Sequence, residues 1–257
     1  MTVPHCAILG LGYLGRSLAQ KLYEHGSHIA AIKRHLSSDD INLPIQLEIA
    51  DLNCAEVFQT VLSPLWQHWA DKPTWFCLLP PSALHDYHAT LQQWLSLAEH
   101  FGVQHLIFSS STSIYGDRVR LCDEHTAPEP QTESARQILA VEQLLLNSRI
   151  PNIDILRFGG LYSAERHPVS RLILKKHISG GKQPVNVVHR DLAVHALFQT
   201  ACHPQGKRIR NIVEPNHPSR AEFYRAEAEK YGLPTPDFDP EDNRHGKIVT
   251  TLLDTLI

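Results

Sequence analysis

Six residues near the N-terminus, Gly10-Leu11-Gly12-Tyr13-Leu14-Gly15, follow a short apolar run, Cys6-Ala7-Ile8-Leu9, and open an amphipathic stretch from Tyr13 to His25. Strand, tight turn and helix form the context in which a G-x-G-x-x-G spacing has physical meaning. Gly10 permits the turn, Gly12 lets the backbone approach a pyrophosphate, and Gly15 lets helix and strand pack closely. The helix that starts at Tyr13 and Leu14 offers free N–H groups and partial positive charge to phosphates. The pattern reads as a dinucleotide site. A chance glycine cluster in a turn is the alternative, and the second strand ending near Ile32 argues against it.

The end of that second strand, His28 to Ile32, bears on which dinucleotide is held. An NAD site usually carries an acid there to bond the ribose 2′-hydroxyl. This chain has Lys33-Arg34. Arg and Lys attract a 2′-phosphate, Arg through a bidentate fork, so NADP is expected, with NAD as the other choice. A solvated basic pair on a loop competes with this reading. Asp39 and Asp40 come too late to be the ribose ligand unless the loop folds back. Asp51 and Leu52, after the third strand, are expected beside the adenine, although Asp51 serves equally as a helix cap. Leu79 and Pro80, at the end of the fourth strand, complete the expected cofactor contacts.

Apolar runs alternate with amphipathic stretches. Strands are expected at 5–9, 28–32, 45–49, 74–79, 104–109 and 152–157, and helices at 13–25, 55–69, 83–101 and 134–147. This spacing implies right-handed βαβ crossovers and an α/β fold with a doubly wound parallel sheet covered on both faces. After residue 160 the texture becomes rich in proline, glycine and basic residues, with helical patterns at 191–201 and 219–232 and a strand at 209–213. The expected division is a dinucleotide-binding core over 1–160 and a smaller substrate lobe over 161–257 on the sheet's carboxyl edge, within one structural unit.

Composition excludes several function classes. A net charge of −3 gives no long-range pull toward nucleic acid or anionic membrane, so neither partner is expected. No apolar run approaches the ~20 residues of a membrane helix, and the N-terminus shows no signal-peptide pattern. The five cysteines are scattered and read as reduced thiols of a cytoplasmic protein. Seventeen histidines invite a metal reading, but His85 and His88 are closely spaced and no metal-ligand pattern accompanies them, so no metal is expected.

A second motif, Ser109-Ser110-Ser111-Thr112-Ser113-Ile114-Tyr115-Gly116-Asp117 after Leu106-Ile107-Phe108, resembles the active-site strand of extended short-chain dehydrogenases/reductases, the epimerase/dehydratase group. Pro128 to Leu146 resembles that family's catalytic helix, Ile155 to Tyr162 its sixth strand, and Val187 to Ala193 a motif of its substrate lobe. The resemblance runs from residue 5 to about residue 232. It implies a Rossmann-like fold and an NAD(P)-dependent oxidoreductase, epimerase or dehydratase acting on a small hydroxyl, carbonyl or sugar-like substrate. Family members use a serine or threonine with a Tyr-x-x-x-Lys pair, the lysine lowering the phenol's pKa. Ser111 matches the serine. Ser134 falls at the tyrosine position and Ile138 at the lysine position, and residues 130–150 contain neither tyrosine nor lysine. The chain therefore resembles atypical members.

Two readings remain. One is an enzyme with a relocated acid/base: Ser111 and Tyr115 are its catalytic candidates, and Arg136, Tyr162 and His189 its substrate candidates. Tyr115 reads more readily as a packing residue at the strand exit. The other is a non-catalytic NADP(H)-binding sensor or regulator. The resemblance also implies a homodimer through 83–101 and 132–147, where Leu91, Trp94, Leu95, Leu144 and Leu145 serve either a partner or the sheet. Lys247 to Leu253 begins like the family's closing segment.

Overall fold

The computed structural model describes residues 3–54, 56–59 and 64–252. Along the first half run β1 (Cys6–Leu9), α1 (Tyr13–Glu24), β2 (Ile29–Lys33), β3 (Gln46–Ile49), α2 (Glu56–Gln59), α3 (Pro64–Gln67), β4 (Thr74–Cys77), α4 (Tyr87–His100) and β5 (His105–Ser111). There follow β6 (Leu121–Cys122), α5 (Glu133–Leu146), β7 (Asn152–Phe158), β8 (Gly160–Tyr162), α6 (Val169–Leu172) and β9 (Val187–His189). The chain closes with α7 (Arg190–Cys202), β10 (Lys207–Ile212), α8 (Arg220–Lys230) and β11 (Ile248–Val249).

Seven strands form one parallel sheet in the order β10-β7-β5-β4-β1-β2-β3. Both faces are covered, which is why β1, β2 and β4 are nearly unbroken apolar runs rather than alternating ones. Ala7 and Leu9 face a layer containing Trp66, Trp75, Leu91 and Trp94, whereas Cys6 and Ile8 face Leu14 and Leu18 of α1 and Leu197 of α7. The chain winds outward from β1 to β3, then returns to β4 on the other side. That reversal leaves a crevice beyond the paired ends Leu9 and Cys77, where open α/β sheets bind ligands.

The doubly wound sheet agrees with the sequence pattern, and the departures are local. The stretch expected as one helix over 55–69 contains two four-residue helices, with residues 55 and 60–63 outside the description. α4 starts at Tyr87 rather than 83 because Asp86 accepts the Ala89 N–H at 2.9 Å and caps it. The second half also returns to the core: α7 packs on α1, and β10 extends the sheet beside β7. Asp154 fixes that edge. Its buried carboxylate accepts two bonds from Arg208 (2.9 and 3.0 Å) and one from Arg210 (2.8 Å), with His105 Nε2 at 2.7 Å. Burial raises its pKa, but these donors outweigh it and hold the group below the ordinary aspartate value. Among the described residues no helix is long and apolar enough to cross a membrane.

Candidate functional site

The three motif glycines lack side chains for different reasons. Gly10 has φ +101°, and a Cβ there would stand 3.0 Å from Leu79. A Cβ on Gly15 would stand 2.3 Å from the Gly10 carbonyl oxygen, closer than real Cβ contacts. A Cβ on Gly12 would meet nothing within 4 Å. Protein packing therefore explains Gly10 and Gly15 but not Gly12, which opens onto the cleft. Gly12 caps α1 with no side chain, and the first turn carries no acid. The first helical bond runs from Arg16 N–H to the Gly12 oxygen at 3.1 Å, which leaves the N–H groups of Tyr13, Leu14 and Gly15 ahead of it. These features fit a pyrophosphate and its negative charge.

On one side of this turn lies a cavity of about 250 Å3 lined by Gly10, Gly12, Ile32, Lys33, Arg34, His35, Asp51, Leu52, Leu79 and Leu84. Here the loop does fold back. The Lys33 ammonium is bound to Asp40 and donates to Ser37 Oγ at 3.1 Å. Asp40 is buried and also accepts the Ser37 N–H at 2.8 Å. Burial disfavours its charge, yet Lys33 and Ser37 overcome this and lower its pKa. Lys33 is thus committed to a carboxylate of its own chain. Exposed Arg34 has no hydrogen bond or ion pair among the described residues, so it is the free cation of the pair. Asp51 accepts from both the backbone and side-chain nitrogens of Asn53, at 3.1 and 2.8 Å, and these bonds lower its pKa.

On the other side a cavity of about 530 Å3 shares Gly10, Gly12 and Leu79. Its walls include Tyr13, Leu14, Pro80, Ser109, Ser110, Ser111, Ser113, Ser134, Ile138 and Arg166. Ser111 ends β5, and its Oγ accepts the Ser113 N–H at 3.1 Å, which starts the 3-10 turn Thr112–Tyr115. Ser134 and Ile138 lie one turn apart on α5, and both line the cleft. Ser134 and Ile138, singled out from the sequence, thus share one face of α5 toward this cavity. Among the described lining residues only Tyr13 and Arg166 are ionisable.

Several sequence candidates lie elsewhere. Tyr115 does not enter the cleft: the 3-10 turn rotates it into the core, where it is fully buried. Its hydroxyl donates to Asn211 Oδ1 at 2.9 Å and accepts from Arg157 at 2.8 Å, while burial raises its pKa against the opposing pull of Arg157. It belongs to a chain of buried polar groups that starts at the cleft wall. Ser110 Oγ donates to Glu142, Glu142 accepts two bonds from Arg157 at 3.0 and 2.7 Å, and Asn211 Nδ2 donates to the Thr250 oxygen at 2.8 Å. Tyr162 is not in the lining either; it donates to Glu214 at 2.9 Å, and burial followed by that bond raises its pKa. His189 Nδ1 accepts the Asp191 N–H at 3.3 Å as the cap of α7, and Arg136 pairs with Glu133 at 3.0 Å on an exposed face. Arg166 escaped the sequence reading because a lone arginine in a loop has no spacing signal. Among the described residues no group of three or more His, Cys, Asp or Glu is placed to hold a metal.

Comparison with known proteins bears on the family and the fold. The profile of the NAD dependent epimerase/dehydratase family matches residues 6–189. Protein YeeZ of Escherichia coli K12 is 30% identical, the match covering 95% of this chain and 90% of that protein. Among solved structures, MoeE5 in complex with UDP-glucose and NAD superposes with a TM-score of 0.79 at 21% identity, over 98% of this chain and 90% of that one. UDP-glucuronic acid 4-epimerase from Bacillus cereus in complex with NAD gives a TM-score of 0.78 at 19% identity, with coverage of 98% and 90%. At these identities the likeness is one of fold.

Proposed function

This chain belongs to the NAD dependent epimerase/dehydratase family, and on that premise we propose that it binds a nicotinamide dinucleotide across its glycine turn, NADP(H) in preference to NAD(H), and transfers hydride to or from a small hydroxyl, carbonyl or sugar-like substrate. One observation carries the reading: Gly12 faces open cleft, between unbonded N–H groups and two cavities. In the smaller cavity Leu52 and Leu79 would hold the adenine of the cofactor and Asp51 would accept from its amino group. Arg34 meets the 2′-phosphate, while Lys33 shapes the loop through Asp40. When bound, the cofactor supplies a hydride donor or acceptor in the larger cavity.

There the chain presents hydroxyls. Ser111 and Ser134 donate or accept hydrogen bonds to orient a substrate oxygen. Neither holds a charge at neutral pH, and the buried phenol of Tyr115 is out of reach. The protein thus contributes binding and orientation through these hydroxyls. The fold neighbour solved with UDP-glucose and NAD supports a sugar-like substrate class.

Calorimetric titration with NADPH and, separately, NADH tests the reading. Micromolar or tighter NADPH binding with weaker NADH binding is expected. No binding of either would end it. Nicotinamide absorbance with carbonyl compounds and nucleotide sugars then reads turnover, and product analysis detects an epimerase that regenerates its cofactor.

A further inference from the structure

Arg166 ends the 3-10 turn Ala164–Arg166 that follows β8, and its guanidinium lies 5.0 Å from the centre of the Tyr13 ring. Tyr13 opens α1 and lines the same cleft. A second guanidinium, Arg190, stands 5.7 Å from that ring. The two differ in one respect. Arg190 is neutralised by Glu165 at 3.0 Å and Asp191 at 3.2 Å, whereas Arg166 has no acidic partner among the described residues. With Arg190 neutralised, the unpaired charge on this ring is that of Arg166, and placed beside the free N–H groups of α1 it favours an anion. The hydroxyl oxygen of Tyr13 is shielded from solvent there and has no hydrogen-bond partner.

The loop carrying Arg166 is held in advance. Ser163, itself buried, donates through Oγ to Glu165 at 2.7 Å. Glu165 accepts from Arg190 at 3.0 Å, and Arg166 N–H donates to the Ser163 oxygen at 3.2 Å. Glu165 is therefore engaged by Ser163 and Arg190, and Arg166 reaches the cleft with its fork unused. A guanidinium suits paired phosphate oxygens through its parallel N–H groups.

We propose that Arg166 is a diphosphate clamp: its guanidinium binds the pyrophosphate of the dinucleotide alongside the α1 amides, bridging the second half of the chain to the cofactor. The inference rests on the dinucleotide reading above. It names a role distinct from that of Arg34, because every dinucleotide carries the pyrophosphate and only NADP(H) carries the 2′-phosphate.

Arg166→Met retains an unbranched apolar stem against Tyr13 and removes the charge; Arg166→Lys retains charge without the fork. Titration of each with NADPH, NADH and adenosine 2′-monophosphate, alongside thermal melts, separates the outcomes. For Arg166→Met we expect an unchanged melting temperature, NADPH and NADH both weakened about ten- to a hundredfold, and adenosine 2′-monophosphate unaffected. Arg166→Lys should recover part of the loss. Dinucleotide affinities unchanged in Arg166→Met, with the wild type binding normally, overturn the clamp alone. Weakened binding of UDP-glucose to the NADPH-loaded protein, with dinucleotides unaffected, also overturns it and assigns Arg166 to a substrate diphosphate. If the wild type binds neither dinucleotide, the clamp and the dinucleotide reading fall together.

Discussion

Replacing Gly12 and Gly15 separately by alanine distinguishes a glycine needed for a ligand from one needed for packing. At Gly12 the new Cβ meets nothing within 4 Å, so the folded chain loses only the difference between Gly and Ala as helix caps, about 1 kcal/mol or less. At Gly15 the Cβ falls 2.3 Å from the Gly10 oxygen, and β1 and α1 must separate to admit it. Overpacking of this kind costs about 1–3 kcal/mol. For a chain of this size that lowers the melting temperature by roughly 2–12 °C. Binding should rank differently. A methyl at Gly12 holds the pyrophosphate away from the α1 amides, and losing two charge-assisted bonds of about 1.5–3 kcal/mol each weakens binding roughly 10² to 10⁴-fold. Calorimetry with NADPH and NADH, paired with thermal melts of both variants, provides the comparison. Wild-type affinity in Gly12→Ala would falsify the placement of the pyrophosphate. A Gly12→Ala melt as low as that of Gly15→Ala would refute the claim that packing leaves this position free.

Arg34→Glu should weaken NADPH about ten- to a hundredfold and leave NADH within a few-fold, because the 2′-phosphate meets repulsion in place of a fork. Equal loss for both would remove Arg34 from that phosphate. The lowered pKa of Asp40 means that its charged form stabilises the fold fully above the unfolded value of about 4. The stability gap between wild type and Asp40→Asn should therefore shrink as pH falls through the folded pKa, and denaturant titrations showing a pH-independent gap would contradict this. Tyr115→Phe leaves Arg157 and Asn211 each short of a buried partner and should cost about 1–3 kcal/mol while cofactor affinity holds. Any turnover should survive it but fall in Ser111→Ala; the reverse ranking would restore Tyr115 as the reactive group.

What the sequence made legible was local. Strand, glycine turn and helix lie within some twenty residues, and their apolar pattern needs no distant partner to be read. The α5 register was legible for the same reason: helical spacing alone brings Ser134 and Ile138 to one face, and both line the cleft. The misplacements come from contacts distant in sequence. Tyr115 follows Ser111 closely enough to share its loop, and the burial that makes it a packing residue rather than a catalytic one depends on Arg157 and Asn211, which belong to other strands. Lys33 is the exception, since its partners Ser37 and Asp40 are near in sequence, but their loop has no apolar period from which its fold-back could be read. β10 joined the main sheet because Arg208 and Arg210 converge on Asp154, a pairing no periodicity reveals.

The buried chain from Ser110 through Glu142, Arg157 and Tyr115 to Asn211 bears on how such a protein tolerates change. Each member satisfies its neighbour, so a single replacement strands a buried charge or hydroxyl, and the members can change only as a group. Ser134, exposed at the cleft, stands outside this set. Apart from Ser110, which belongs to both, the buried scaffold and the cleft surface are therefore separately mutable. A chain built this way can exchange the groups that face its ligand, and with them its chemistry, while the fold that presents them stays intact.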